Sequence, residues 1–119
     1  MYLANHQIIE LYNCDKSVIE NSDYVRNTFK EAVKLSDATV VAEKYHTFSP
    51  HGLTGVAVIT ESHISIHTWP EHGYVAIDVF SCDNKVNHKK ILAYLKTHFF
   101  SKKTKTKSIK RGKYGRKRV

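Results

Sequence analysis

The sequence predicts an α+β fold, a two-layer sandwich of an antiparallel β-sheet with two helices on one face. Three observations predict it. Four segments between residues 39 and 81 are apolar or alternate in polarity, and short turns rich in Pro and Gly join them in pairs, as in successive hairpins. One segment before that run and one after it switch to helical spacing. The resulting order, a strand, a helix, four strands and a helix, leaves a sheet with two amphipathic covers.

The first strand is read over Gln7–Cys14. There Ile9, Leu11 and Asn13 share one parity and Ile8 and Tyr12 the other, with β-branched and aromatic enrichment. Ser17 followed by Glu20 resembles a capping box, and Ser22 with Asp23 offers a second helix start whose acid suits the N-terminal dipole. Val25, Phe29, Ala32 and Val33 then share a helical face, and this helix is expected to end near Ser36.

Thr39–Phe48 and Leu53–Thr60 read as strands joined by the turn Ser49-Pro50-His51-Gly52. His63–Trp69 and Tyr74–Ser81 alternate around the four-residue loop Pro70-Glu71-His72-Gly73. Asn87 is the expected N-cap of a second amphipathic helix reaching Phe100 through Ile91, Leu92, Leu95 and Phe99. Beyond it Lys103, Lys105 and Lys107 alternate with Thr104, Thr106 and Ser108, as in an edge strand whose lysines oppose aggregation. Disorder is expected after Lys110.

The 119 residues suit a single domain, with no internal repeat. No apolar run approaches the ~18 to 20 residues of a membrane span, and Met1 to Glu10 has neither the basic nor the apolar part of a secretory signal, so a cytoplasmic location is expected. Two cysteines, Cys14 and Cys82, are too few for a disulfide scaffold and are read as thiols, Cys14 as packing. The formal net charge of +8 is unevenly spread. Ser101 to Val119 holds ten Lys or Arg and no acid, whereas the first hundred residues carry nine bases against eleven acids. The basic character therefore belongs to a tail, 101–119, appended to a body, 1–100, and is weak support for a nucleic-acid-binding protein, the alternative from another functional class.

Chemistry-bearing residues are densest in the string ESHISIHTWPEHGYVAIDVFSC, Glu61 to Cys82. This string resembles the processing-site motif of the small bacterial and archaeal S-adenosylmethionine decarboxylases. The order of elements from about His6 to Phe100 is similar too, roughly four fifths of the chain. Elementary chemistry points the same way. Decarboxylating an amino acid needs an electron sink that no side chain provides, and the body shows no Gly-rich phosphate cradle for a cofactor such as pyridoxal phosphate. A carbonyl made from the chain itself is the remaining route.

The resemblance implies self-cleavage between Glu61 and Ser62, with Ser62 becoming a pyruvoyl cofactor. It implies further that His67 is the processing base, Cys82 the thiol that returns a proton after decarboxylation, and Thr54 a helper hydroxyl where relatives carry serine. Phe48 is expected to stack on adenine and Glu71 to meet the ribose hydroxyls or the cationic substrate. Asp83 departs from the glycine common after the family's cysteine. The implied activity is decarboxylation of S-adenosylmethionine to the aminopropyl donor of spermidine synthesis. Sister enzymes acting on arginine or ornithine are the alternative. His63 and His67 share one face of their strand but have no third ligand at convincing spacing, so no metal is expected.

The same string implies an assembly. With a four-residue loop, Trp69 pairs with Tyr74, partner numbers sum to 143 and Glu61 faces Cys82. His67 then lies about 16 Å from Ser62 along a regular strand and on the other face. Either the strand breaks at Ser62, or a second copy provides His67 and Thr54, as a two-fold homodimer laying two sheets edge to edge would. Resemblance to larger relatives that look like two fused domains favours the homodimer. S-adenosylmethionine is the expected small-molecule partner, with no membrane partner.

Overall fold

The computed structural model describes residues 1–82 and 85–114. Its sheet has six strands: β1 (Tyr2–Tyr12), β2 (Val40–Thr47), β3 (Leu53–Ile59), β4 (Ser62–Trp69), β5 (Tyr74–Ser81) and β6 (Lys103–Lys113), in the order β2-β3-β4-β5-β1-β6. All five neighbouring pairs are antiparallel. Three helices pack on one face: α1 (Lys16–Glu20), α2 (Ser22–Leu35) and α3 (His88–His98).

Alternation along the strands divides the sheet into two unlike faces. Ile9 and Leu11 of β1, Ile64 and Ile66 of β4, and Val75 and Ile77 of β5 point to the helices and are at most 1% exposed. Against them lie Val25, Phe29, Ala32 and Val33 of α2 and Ile91 and Leu95 of α3. Each large side chain fully buried in this layer stabilises the fold by about 1.5–3 kcal/mol relative to exposure. Among the described residues no element covers the opposite face, which carries His6, Glu10, Tyr12, His63, Ser65, His67, Tyr74, Asp78 and Phe80 at the alternate positions of β1, β4 and β5.

Several boundaries differ from the expected ones for identifiable reasons. The first strand starts at Tyr2 because β6 pairs along its whole length, Tyr2 opposite Lys113. The short first helix is capped by Asp15, whose Oδ1 accepts from the N–H groups of Ser17 and Val18, so Ser17 lies inside it. Asn21 in turn caps α2 through the Tyr24 N–H. The expected disorder after Lys110 is corrected, since Arg111 pairs with Ala4 and the Tyr114 N–H donates to the Met1 carbonyl at 2.9 Å. A neighbouring strand satisfies backbone groups that a free basic tail would leave to water. Residues 115–119 and Asp83 lie outside the described residues.

Two glycines are required by geometry near the end of β4. Gly73 ends the loop after Trp69 at φ +61°, and an added Cβ would stand 3.1 Å from the Cys14 carbonyl oxygen. At Gly55 an added Cβ would meet the Tyr45 ring at 2.6 Å, so the strand crossing beside Thr54 has room only for hydrogen.

Candidate functional site

The expected site residues collect at the two ends of β4. At its beginning, Ser62 pairs with Ser81, and the Cys82 N–H donates to the Glu61 carbonyl oxygen at 3.0 Å. The full register from Ser62↔Ser81 to Trp69↔Tyr74 is the one expected from the loop length. Ser62 itself has φ +149°, a region costly for any residue with a Cβ, so the peptide before it is held under backbone strain. The Cys82 thiol is free and exposed.

Glu61 is 4% exposed, the only buried acid among the described residues. Its Oε1 accepts from the Thr39 N–H at 3.3 Å, and its Oε2 lies 3.4 Å from Lys85 Nζ. Burial pushes its pKa up. Hydrogen bonds from the Thr60 side chain, the Thr39 and Glu61 backbone and Lys85 outweigh that and hold the carboxyl below the usual carboxylate range.

At the far end of β4, Thr54 pairs with His67 across β3 and β4, and Thr54 Oγ1 lies 3.0 Å from His67 Nδ1. Both line a concavity of about 250 Å³ with Phe48, His51, Trp69 and Glu71. The Phe48 and Trp69 rings are large apolar groups left open to solvent, 48% and 40% exposed. Thr68 on the buried side ties the wall together, its Oγ1 accepting from the Leu53 N–H at 2.9 Å.

The structure thus joins Glu61, Ser62 and Cys82 at one place, and Phe48, Thr54, His67 and Glu71 at another. It does not bring the two groups together in one chain. The strand does not break between them: β4 is continuous, and five residues at ~3.3 Å separate Ser62 from His67 by about 16 Å. His63 stacks on Phe80 at 5.5 Å, and no group of three or more metal-ligating side chains occurs among the described residues. Cys14 is a buried thiol whose pKa burial raises to about 11, in keeping with packing.

Three neighbours were not singled out from sequence. By sequence Trp69 marks a strand end. His51 belongs to a turn by sequence, yet its Nδ1 is buried without a hydrogen-bond partner and lies 3.8 Å from Glu71 Oε1. Lys85, in an unpatterned segment, reaches Glu61 only through the fold; a lone basic residue three positions after Cys82 carries no sequence signal.

A family model described as S-adenosylmethionine decarboxylase matches residues 5–112. The chain belongs to the S-adenosylmethionine decarboxylase family. A relative from Clostridium botulinum (strain Loch Maree / Type A3), named S-adenosylmethionine decarboxylase proenzyme, is 41% identical over 94% of this chain and 97% of its own length. Another of the same name from Fervidobacterium nodosum is 44% identical over 94% of this chain and 82% of its own. The crystal structure of the adenosylmethionine decarboxylase from Aquifex aeolicus VF5 superposes with a TM-score of 0.85 at 34% identity, covering 95% of this chain and 93% of that one. The α+β sandwich is therefore the fold of this decarboxylase family. No helix among the described residues is long and apolar enough to cross a membrane.

Proposed function

We propose that this chain is a self-processing S-adenosylmethionine decarboxylase that cuts itself between Glu61 and Ser62 and works through a pyruvoyl group made from Ser62, providing the aminopropyl donor for polyamine synthesis. The observation that carries the reading is the junction itself, a strained Ser62 whose preceding carbonyl oxygen already accepts from the Cys82 N–H.

The chemistry follows from those atoms. The Ser62 hydroxyl attacks the Glu61 carbonyl carbon, the C–N bond breaks and an ester forms. The Cys82 N–H stands where negative charge gathers on the carbonyl oxygen during the attack. Loss of the Ser62 α-proton then expels the Glu61 carboxylate and leaves dehydroalanine, which takes up water and releases ammonia. The residues present fit the group so formed: Cys82, whose N–H holds the Glu61 carbonyl at the junction, carries a free, exposed thiol, and β4 runs on from Ser62 without a break. When formed, its ketone is the electron sink that decarboxylation requires.

His67, oriented by Thr54, is the base in this scheme, its imidazole taking a proton during the attack and giving it back. Phe48 offers the face on which adenine stacks, and Glu71 an acceptor for ribose hydroxyls or a counter-charge to the cationic substrate. Cys82 returns a proton to the substrate carbon. These roles, like the cytoplasmic location, belong to the proposal.

A homodimer sharing its sites completes the proposal. Thr54 and His67 belong to β3 and β4, interior strands of a sheet whose edges are β2 and β6. Their side chains point to the face that no described element covers, so the dimer proposed is face to face, with the Ser62–Cys82 end of one sheet meeting the concavity of the other.

Intact mass and a substrate panel test the whole reading. Two fragments, Met1–Glu61 and a remainder lacking the amine of Ser62, are expected, with carbon dioxide released from S-adenosylmethionine and not from arginine or ornithine. A lasting single chain of 13.7 kDa overturns the processing, and preference for an amino acid overturns the substrate.

A further inference from the structure

We infer that Lys85 is a positioning residue for self-cleavage, its ammonium clamping the Glu61 side chain so that the Glu61–Ser62 peptide stays in the form from which the acyl shift starts. The inference rests on the self-processing proposed above and adds a residue that its chemistry does not use.

Residue 61 is held on both its main chain and its side chain. The carbonyl accepts from the Cys82 N–H, one carboxylate oxygen accepts from the Thr39 N–H, and the other meets Lys85 Nζ at 3.4 Å. Thr39 is itself fixed, since its carbonyl accepts from the Thr60 N–H at 3.0 Å. A carboxylate at this depth is costly unless its oxygens are matched, and Lys85 brings the only cationic side chain within ion-pair distance among the described residues. The next torsion along the chain, φ of Ser62, takes the strained value +149°.

The lysine is not needed to build the core. Its side chain is 56% exposed and it follows Cys82 in the segment leading to α3, so it links that segment to the residue before the cut. Without the ammonium, the Glu61 carboxylate gains by turning toward water, and the peptide turns with it, releasing the strain at Ser62. Arginine in place of lysine restores the charge. Uncharged methionine, of similar length, does not.

The test follows cleavage with time in newly synthesised wild-type, Lys85→Met, Lys85→Arg, Glu61→Gln and Lys85→Met/Glu61→Gln chains, alongside thermal melts. Lys85→Met is expected to cleave about tenfold more slowly, with Lys85→Arg within about twofold of wild type. The double variant should be no slower than the slower single one, because both remove one interaction. Once fully processed, Lys85→Met should turn over S-adenosylmethionine within about twofold of wild type at an unchanged KM. Wild-type cleavage by Lys85→Met, additive slowing in the double variant, or slowing of Lys85→Arg equal to that of Lys85→Met overturns the clamp. If the melt of Lys85→Met falls, the double variant and the arginine rescue still decide. Wild type that never cleaves at this junction instead sinks the self-processing reading, a different outcome from a wild type that cleaves beside an equally fast Lys85→Met.

Discussion

The Cys82 N–H lies 3.0 Å from the Glu61 carbonyl oxygen, while the Cys82 side chain is a free, exposed thiol. One residue therefore carries two separable groups, a backbone donor to the carbonyl under attack and a free, exposed thiol. Ser62→Ala removes the attacking hydroxyl and leaves that donor in place. The variant is expected to remain one chain of 13.7 kDa with no decarboxylase activity, read by intact mass and carbon dioxide release. Cleavage at this junction in Ser62→Ala would show that the hydroxyl does not begin the reaction.

Cys82→Ala keeps the N–H and loses the thiol, so cleavage should proceed while turnover falls by about 10²-fold or more, the ordinary scale for losing a proton donor. The two cysteines should also differ toward a small alkylating reagent. At pH 8 a Cys14 thiol with a pKa near 11 stays protonated, and only thiolate reacts. Peptide mapping after brief iodoacetamide treatment should find label on Cys82 and none on Cys14, with S-adenosylmethionine slowing the labelling. Faster labelling of Cys14 would contradict the packing seen around it.

Thr54 tests whether the hydroxyl beside His67 matters for its chemistry or only for packing. Thr54→Val keeps the shape and leaves His67 Nδ1 without its partner, and cleavage is expected to slow by about 10-fold or more. Thr54→Ser should process at least as fast as wild type. A valine variant that cleaves at the wild-type rate would leave Thr54 as a strand residue and no more.

How much of this was legible in the sequence depends on the range of the interaction. Alternation and turn length fixed the β4–β5 hairpin to the residue, because a four-residue loop admits one register and a one-residue slip would turn Ile64 and Ile66 outward. The Asn87 cap was visible because a cap acts within three residues. By contrast, the pairing of β6 with β1, the Lys85–Glu61 contact and the placing of His51 beside Glu71 come from segments brought together by the fold. Local composition made the last strand look more disordered than it is. Nor does it say which strands lie inside the sheet, on which the proposed face-to-face dimer rests.

In one chain, the serine to be processed and the imidazole proposed as its base are about 16 Å apart along a continuous strand, and proton transfer needs hydrogen-bond reach or one bridging water. If two chains pack face to face about a two-fold axis, each pair of ends forms a site from Ser62 and Cys82 of one chain and Thr54 and His67 of the other. Cys82→Ala and His67→Ala would each be poor as homodimers, for different reasons. A mixed dimer places both changes in one of its sites and leaves the other intact. Random exchange makes about half the dimers mixed, each with one good site of two, so activity should return to about a quarter of the wild-type value. The mixture should also show that the His67→Ala chain, uncut alone, becomes cut beside its partner, which mass spectrometry reads without any activity assay. Absence of both signals after subunit exchange has been verified would mean that each chain builds its site alone and that His67 acts on something other than Ser62.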